Sequence, residues 1–131
     1  MRIAKNDVDV KMEIPGAVIR QETEFGNASG FDKISGEYFS LAAGVDTTPL
    51  FEGLAGGLCH CPHWGYVLRG TITTTNASGE RETVNADDLF YWPPGHNVRV
   101  DSDAEIVMFS PQREHTQVIN HMIEKVKQSP A

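Results

Sequence analysis

The most constraining feature of this sequence is a succession of short β-type segments, each followed by turn residues such as Gly, Pro, Asn or Asp. This spacing is typical of all-β sandwiches and barrels. The Gly-rich connection over 44–57 could hold one more short strand, near Phe51. The predicted strands cover residues 17–23, 34–42, 58–61, 63–68, 71–75, 80–84, 89–92, 98–100 and 105–110. We therefore expect an all-β barrel whose core covers about residues 15–110.

The C-terminal segment has a different periodicity. Its apolar residues recur at helical spacing: Val118, Ile119, Met122, Ile123 and Val126. The pattern predicts one amphipathic helix over residues 113–127, whose apolar stripe must cover either the barrel or a second subunit. His115 and His121 lie on this helix in different directions, so we expect both at the surface. A chain of 131 residues is expected to form one domain, 1–131.

Charge and hydropathy exclude several classes of function. The formal net charge is −7 and the arginines are scattered, so we expect neither nucleic acid nor a membrane as a partner. No apolar run approaches the roughly 20 residues of a membrane span, and the N terminus lacks the apolar stretch of a secretory signal. We therefore expect a cytoplasmic protein. A disulfide between Cys59 and Cys61 would be strained, so we expect two buried, reduced thiols.

Three of the five histidines are candidate metal ligands. Pro62 lies between His60 and His63 and resets the alternation of a strand, so both side chains could face one cavity. His96 follows the rigid corner over 93–95, which fixes the direction of its side chain. Three convergent imidazoles would suit iron, zinc, nickel or copper. The spacing leaves open the alternative that these histidines hydrogen-bond one another and water in a barrel mouth.

Other residues are candidates for the wall of a ligand pocket. Gly65 lacks a side chain and is expected to leave space for a ligand. Aromatic residues on strands mostly serve core or interface packing, and alternation alone does not decide whether Tyr66 or Trp92 faces inward. Arg69 would suit a carboxylate substrate, although a solvated side chain is the simpler interpretation. Glu52, in the preceding loop, could complete a metal site. We therefore predict a ligand pocket that includes these four side chains.

Two segments resemble the paired motifs of the cupin superfamily. The first cupin motif has a Gly, H-x-H, a Glu and a strand ending in V-L-x-G, and this chain has Gly57, His60 and YVLRG over 66–70. The second motif has G-D, an apolar strand, P-x-G and a later His, and this chain has ADDLFYWPPGH over 86–96. The resemblance covers 57–98 closely. It implies a double-stranded β-helix (jelly-roll) barrel, here with one C-terminal α-helix.

The metal ligands of the family carry over only in part. Cupins typically hold the metal with two His and a Glu of the first motif and a His of the second. The Glu position falls on His63 here, and no acidic residue lies within 53–79. The usual His of the second motif falls on Val98, two residues after His96 and on the same strand face. The resemblance therefore implies a rearranged site made of His60, His63 and His96.

The resemblance leaves two functions of different classes open. The first is a metal-dependent enzyme acting on a small organic molecule, of the dioxygenase, isomerase or decarboxylase type. It would use one divalent transition metal, and its catalytic residues are not assigned. The second is a non-catalytic small-molecule binding or sensing module without a metal, since one fold serves both classes. Single-domain cupins are commonly homodimers, and we expect a homodimer here.

Overall fold

The structure of the protein is a computed structural model that describes residues 1–128. Its elements are β1 (Val10–Ile14), β2 (Ala17–Glu22), β3 (Ile34–Leu41), α1 (Thr48–Phe51), β4 (His63–Asn76), β5 (Arg81–Asn85), β6 (Leu89–Trp92), β7 (His96–Pro111) and α2 (Gln112–Gln128). The strands form one antiparallel sheet in the order β1-β2-β3-β7-β4-β5, and β6 pairs with β4. The predicted all-β class with one C-terminal helix is confirmed, and a jelly-roll fold is consistent with this topology.

The two longest strands, β4 and β7, pair with each other at the centre of the sheet. The sequence predicts each of them as two shorter strands, in β4 because Arg69-Gly70 looks like a break. In the structure the β4–β7 register shifts around Arg69, but the pairing continues. Gly70 has φ +88, and a Cβ there would meet the Ala104 backbone at 2.6 Å. The glycine therefore marks a bulge within one strand instead of a strand end.

The connection between β3 and β4 differs from the prediction. The short strand expected near Phe51 is wrong, because this segment is helix α1. Pro49 lies in its first turn, where the missing N–H removes no helical hydrogen bond. The strand predicted over 58–61 is also wrong. That segment makes a single bridge, between Cys59 and His96. The bridge brings the corner over 93–95 next to the Cys59 thiol.

Helix α2 covers the barrel with its apolar stripe. Its bounds lie within one residue of the predicted 113–127. Val118, Ile119 and Met122 are buried and join one apolar cluster with Met12 and Ile19 of the first two strands. The stripe therefore packs on the chain's own barrel. No helix among residues 1–128 is both long and apolar enough to cross a membrane.

Side-chain alternation along β4 and β6 decides which residues face the barrel interior. On β4, His63 and Val67 are buried, whereas Trp64 between them is 48% exposed. On β6, Phe90 and Trp92 are buried, and the residues between and before them are exposed. The sequence left open whether Tyr66 or Trp92 faces inward. In the structure, Trp92 belongs to the barrel interior.

Gly65 serves close packing between strands and a neighbouring ring. A Cβ at this position would stand 2.4 Å from the Phe90 ring and 2.4 Å from the carbonyl oxygen of Val107. The space beside the glycine is therefore filled by the protein itself. The expectation that Gly65 opens room for a ligand is wrong.

Candidate functional site

His63 stands at the start of β4 and is 3% exposed. Its Nδ1 lies 2.7 Å from Oγ of Ser110 on β7. The Ser110 hydroxyl in turn donates to Oε1 of Glu37 on β3, also at 2.7 Å. Because a hydroxyl has a single hydrogen, His63 Nδ1 must be the donor to Ser110. The neutral imidazole therefore carries its proton on Nδ1 and keeps Nε2 unprotonated.

Glu37 is the centre of a buried polar network. Its Oε2 accepts from Ser35 Oγ at 2.8 Å, from Gln21 Nε2 at 3.4 Å and from His115 Nδ1. A carboxylate is an acceptor only, so this ring of donors suits it. The sheet register explains the assembly, because Gln21 pairs with Glu37 and Ser35 pairs with Ser110. We call this set the Glu37 cluster: Gln21, Ser35, Glu37, Ser110 and His115.

Sequence reasoning missed Glu37 and misplaced His115. The expectation that His115 lies at the surface is wrong, since it is 2% exposed in the first turn of α2. Its ring stacks on Phe39 at 5.9 Å and meets the His63 ring edge-on at 4.3 Å. The available signal for Glu37 was strand alternation, which places Ser35 and Glu37 together on the inward face of β3.

The Nε2 side of His63 holds a second group of donors. Cys59 Sγ lies 3.7 Å from His63 Nε2. His96 Nδ1 lies 2.7 Å from the Pro93 carbonyl oxygen. Because a carbonyl oxygen can only accept, the proton of this ring is also on Nδ1, and Nε2 is unprotonated. One ligand atom from each of Cys59, His63 and His96 lies within 4.8 Å of the other two. We call these three residues the Cys59 set.

Burial sets the protonation of these groups. It holds the pKa of His63 well below its usual range, and the nearby His115 and His96 act in the same direction. Burial also lowers the pKa of His96, against the opposing effect of its hydrogen bond to Pro93. Both rings are therefore neutral at pH 7, which is the form that binds metals. Burial raises the pKa of the Cys59 thiol to about 11, and a bound metal would favour its thiolate.

A second group could also hold a metal. Glu37, His63 and His115 each bring a ligand atom within 4.8 Å of the others. In that group, however, the carboxylate and His115 Nδ1 already hydrogen-bond each other, and His63 Nδ1 is bonded to Ser110. A metal there would have to replace these bonds. In the Cys59 set it would replace only two long contacts of the thiol, each of 3.7 Å, with His63 Nε2 and with the Cys61 carbonyl oxygen. The Cys59 set therefore fits a metal better.

The Cys59 set lies in the wall of a cavity inside the barrel. The cavity volume is about 50 Å³, more than the roughly 10–15 Å³ that one water needs. Trp92 also lines it, and its Nε1 is the one buried side-chain nitrogen or oxygen within residues 1–128 that has no hydrogen-bond partner. The other walls are mainly aliphatic and aromatic: Met12, Ala17, Ile19, Phe39, Leu41, Val45, Leu50, Phe51, Val98, Val100, Ile106, Met108, Val118 and Met122.

A comparison with protein families identifies the sequence segment that carries this site. A family model described as "Cupin domain" matches residues 60–111, which include strands β4 to β7 and the corner over 93–95. Residues 60–111 therefore resemble a cupin domain, and the chain has the cupin fold. A search of curated protein sequences found no match.

Solved structures resemble this chain along most of its length. An oxalate decarboxylase from Lactobacillus farciminis, in a formate complex, gives a TM-score of 0.58 at 18% identity, over 84% of this chain and 32% of that one. The polyketide cyclase RemF from Streptomyces resistomycificus gives 0.56 at 18%, over 85% and 78%. An RmlC-like cupin from Shewanella frigidimarina gives 0.56 at 16%, over 87% and 93%. The chain spans about a third of the length of the oxalate decarboxylases it matches.

The structure brings together only part of the predicted metal site. His63 and His96 both line the cavity. His60 does not join them, because it is exposed and its Nε2 donates to the Ala55 carbonyl oxygen at 2.7 Å. Cys59, one residue earlier, takes the inward position. The assumption that Pro62 turns both histidines to the same side is wrong.

The predicted ligand-pocket residues are also divided. Trp92 lines the cavity. Tyr66 lies on the outer face of the sheet, where its hydroxyl donates to Asp87. Arg69 is exposed and pairs with Glu105 at 3.6 Å. Glu52 is exposed in the loop after α1. Only one of the four side chains therefore contributes to the wall of this cavity.

Proposed function

We propose that this protein is a metal-dependent enzyme acting on a small organic molecule, with one divalent transition metal held by Cys59, His63 and His96. The observation that carries the proposal is their arrangement. Three ligand atoms lie within 4.8 Å of one another inside the barrel, and both imidazoles keep Nε2 while Nδ1 is hydrogen-bonded. Thiolate and imidazole donors suit zinc, iron, nickel or copper. Cys59 replaces His60 in the ligand set expected from the sequence.

The chain's own residues would orient the ligands and exclude water. Glu37 and Ser110 fix the tautomer of His63, and the Pro93 carbonyl fixes that of His96, as outer partners of metal-bound histidines do. The apolar walls and helix α2 keep bulk water away from the site. With three protein ligands, the metal would supply a Lewis-acid centre that has an open position for a substrate. We propose the dioxygenase, isomerase or decarboxylase type of reaction.

Metal titration of the purified full chain tests the proposal. We expect uptake of about one ion per chain, with affinity reduced more than about tenfold in Cys59→Ala and in His96→Ala, because each removes a ligand. His60→Ala is the matched control, since it removes a neighbouring imidazole that lies outside the set. Circular dichroism confirms folding of each variant. Folded protein that takes up none of the four metals would overturn the proposal, as would loss of binding in His60→Ala alone.

A metal-free binding module is the second candidate function. The observation that favours it is the cavity wall, which is mainly aliphatic and aromatic and would hold a small apolar molecule without a metal. The same titration separates the two functions. Absence of metal uptake, together with saturable binding of a small molecule in the cavity, would select the binding module.

We also propose a homodimer, formed through the outer face of the sheet. Helix α2 packs on its own barrel, so another surface is needed. Trp64 and Tyr91 stack at 5.3 Å on the outer face, beside Leu89, which is 84% exposed, and Phe109, which is 41% exposed. Light scattering after size exclusion should give a dimer mass, and Leu89→Glu should shift it to the monomer. A monomeric wild-type chain would refute this assembly.

The proposed compartment is the cytoplasm. Cys59 and Cys61 are both buried and unpaired, which confirms the expected free thiols and suits a reducing environment. Cell fractionation would check the assignment, and recovery of the protein outside the cytoplasmic fraction would contradict it.

A further inference from the structure

We infer that the barrel cavity selects a small, uncharged, largely apolar ligand that carries one hydrogen-bond-accepting oxygen, and that the Trp92 indole N–H donates to this oxygen. The inference rests on the proposed function in one respect, since it takes this cavity as the ligand site. It adds the chemical class of the ligand and a residue that recognises it.

The first support is the charge of the cavity. Its lining contains no Lys, Arg, Asp or Glu within residues 1–128. Arg69, which the sequence offered for a carboxylate, pairs with Glu105 outside the cavity, and Arg99 pairs with Asp101. A charged ligand in these apolar walls would therefore lack a countercharge from the chain, which is strongly unfavourable. Any preference for an anion would have to come from a bound metal.

The second support is the unpaired indole donor. Trp92 is 3% exposed, and its Nε1 has no partner within residues 1–128. Buried donors without a partner are rare and unfavourable, and an indole nitrogen can only donate. The Trp92 ring lies 5.9 Å from the His96 ring and 6.3 Å from the His63 ring, between centroids. Both histidines line the same cavity, so an oxygen that accepts from Nε1 would share that cavity with them.

The third support is size. A cavity of about 50 Å³ holds only a few non-hydrogen atoms, since one water already needs roughly 10–15 Å³ of such space. Most of the lining is apolar, so most of the ligand surface must be hydrocarbon. A small ketone or aldehyde satisfies both conditions, because its single oxygen accepts hydrogen bonds and the remainder is apolar.

Acetone, acetate and 2-methylpropene test the inference, since they share one planar shape and differ in charge and in the accepting oxygen. Each is titrated into the metal-free full chain in the presence of a chelator, and the two indole N–H resonances are followed by NMR. We expect acetone to shift the Trp92 signal saturably downfield and acetate to have no saturable effect. The exposed Trp64 indole is an internal control and should not respond. Acetate binding as tightly as acetone would overturn the inference.

Trp92→Phe separates recognition by the indole from simple packing. The variant keeps an aromatic ring and removes the donor. We expect acetone to bind roughly three- to tenfold more weakly, as loss of one hydrogen bond implies, while 2-methylpropene binds as before. Trp64→Phe is the matched control and should change neither affinity. Equal weakening of both ligands in Trp92→Phe would show that the ring only packs, and would refute the role of the donor.

These outcomes are independent of metal uptake, which is measured separately. Selective acetone binding by a chain that takes up no metal supports the ligand class and refutes the metal site. Metal uptake by the Cys59 set without selective acetone binding supports the metal site and refutes the ligand class.

Discussion

The two sides of the His63 ring are built differently. On the Nδ1 side, the Glu37 cluster is closed, since Glu37 accepts hydrogen bonds from Ser35, Ser110 and His115. On the Nε2 side, the Cys59 thiol makes a long contact of 3.7 Å, and Trp92, which lines the same cavity, has an Nε1 without a partner within residues 1–128. One imidazole thus separates a satisfied network from an unsatisfied one.

This difference assigns the two sides to different tasks. A fully satisfied buried network is rigid and fixes a single arrangement of its members. Unsatisfied buried donors and acceptors are unfavourable for folding alone, and in native proteins they are concentrated where a ligand binds. Under the proposed function, the Glu37 cluster holds the geometry, and the Cys59 set and Trp92 would receive the ligand. Substitutions on the Nδ1 side should mainly reduce stability, whereas those on the Nε2 side should mainly reduce binding.

Removal of the carboxylate should have the largest effect on stability. Glu37→Ala takes the carboxylate acceptor away from four buried donors, so we expect the free energy of unfolding to fall by about 3–5 kcal/mol. Urea denaturation measures this change. Glu52→Ala is the matched control, because Glu52 is exposed, and should stay within about 0.5 kcal/mol of the wild type.

Trp92→Phe tests the Nε2 side of the same comparison. It removes an unpaired donor and part of a buried ring, so we expect the free energy of unfolding to fall by about 1–2 kcal/mol, less than in Glu37→Ala. A similar loss in Glu37→Ala and Trp92→Phe would mean that the two sides do not differ as the hydrogen bonds imply.

Sequence reasoning could predict the fold and part of the site. Turn residues and apolar alternation mark strand positions directly, and β6 was predicted with its observed bounds. His63, His96 and Trp92 were found because they lie in or beside the two motif segments. Bulges were harder, since a glycine with positive φ looks like a strand end until its pairing partner is known. For this reason β4 was predicted as two strands.

The remainder of the site depends on contacts between elements that are distant in sequence. Glu37 reaches His63 through the β3–β7–β4 pairing, which no local pattern reveals. His115 is buried because α2 begins directly at the end of β7 and turns its first turn inward. The choice between Cys59 and His60 was decided by one bridge, from Cys59 to His96. Helical or strand periodicity alone cannot supply such information.

Ser110→Ala should have a smaller effect on stability and a more specific one on the site. The hydroxyl links His63 Nδ1 to Glu37, so its loss leaves a buried donor and an acceptor lone pair unsatisfied. We expect the free energy of unfolding to fall by about 2 kcal/mol, and metal affinity to fall about 10- to 100-fold. Nitrogen NMR of the metal-free chain should show His63 losing its exclusive Nδ1–H tautomer.

Ser102→Ala controls for removal of a hydroxyl from the same strand, since Ser102 is exposed on β7, and it should change none of these three quantities. The tautomer decides the interpretation of Ser110→Ala. If stability falls while the His63 tautomer and the metal affinity are unchanged, the Glu37 cluster supports only the fold. The two sides of the ring would then be independent. If stability, tautomer and metal affinity change together, the Glu37 cluster controls metal binding by the Cys59 set through the Ser110 hydroxyl.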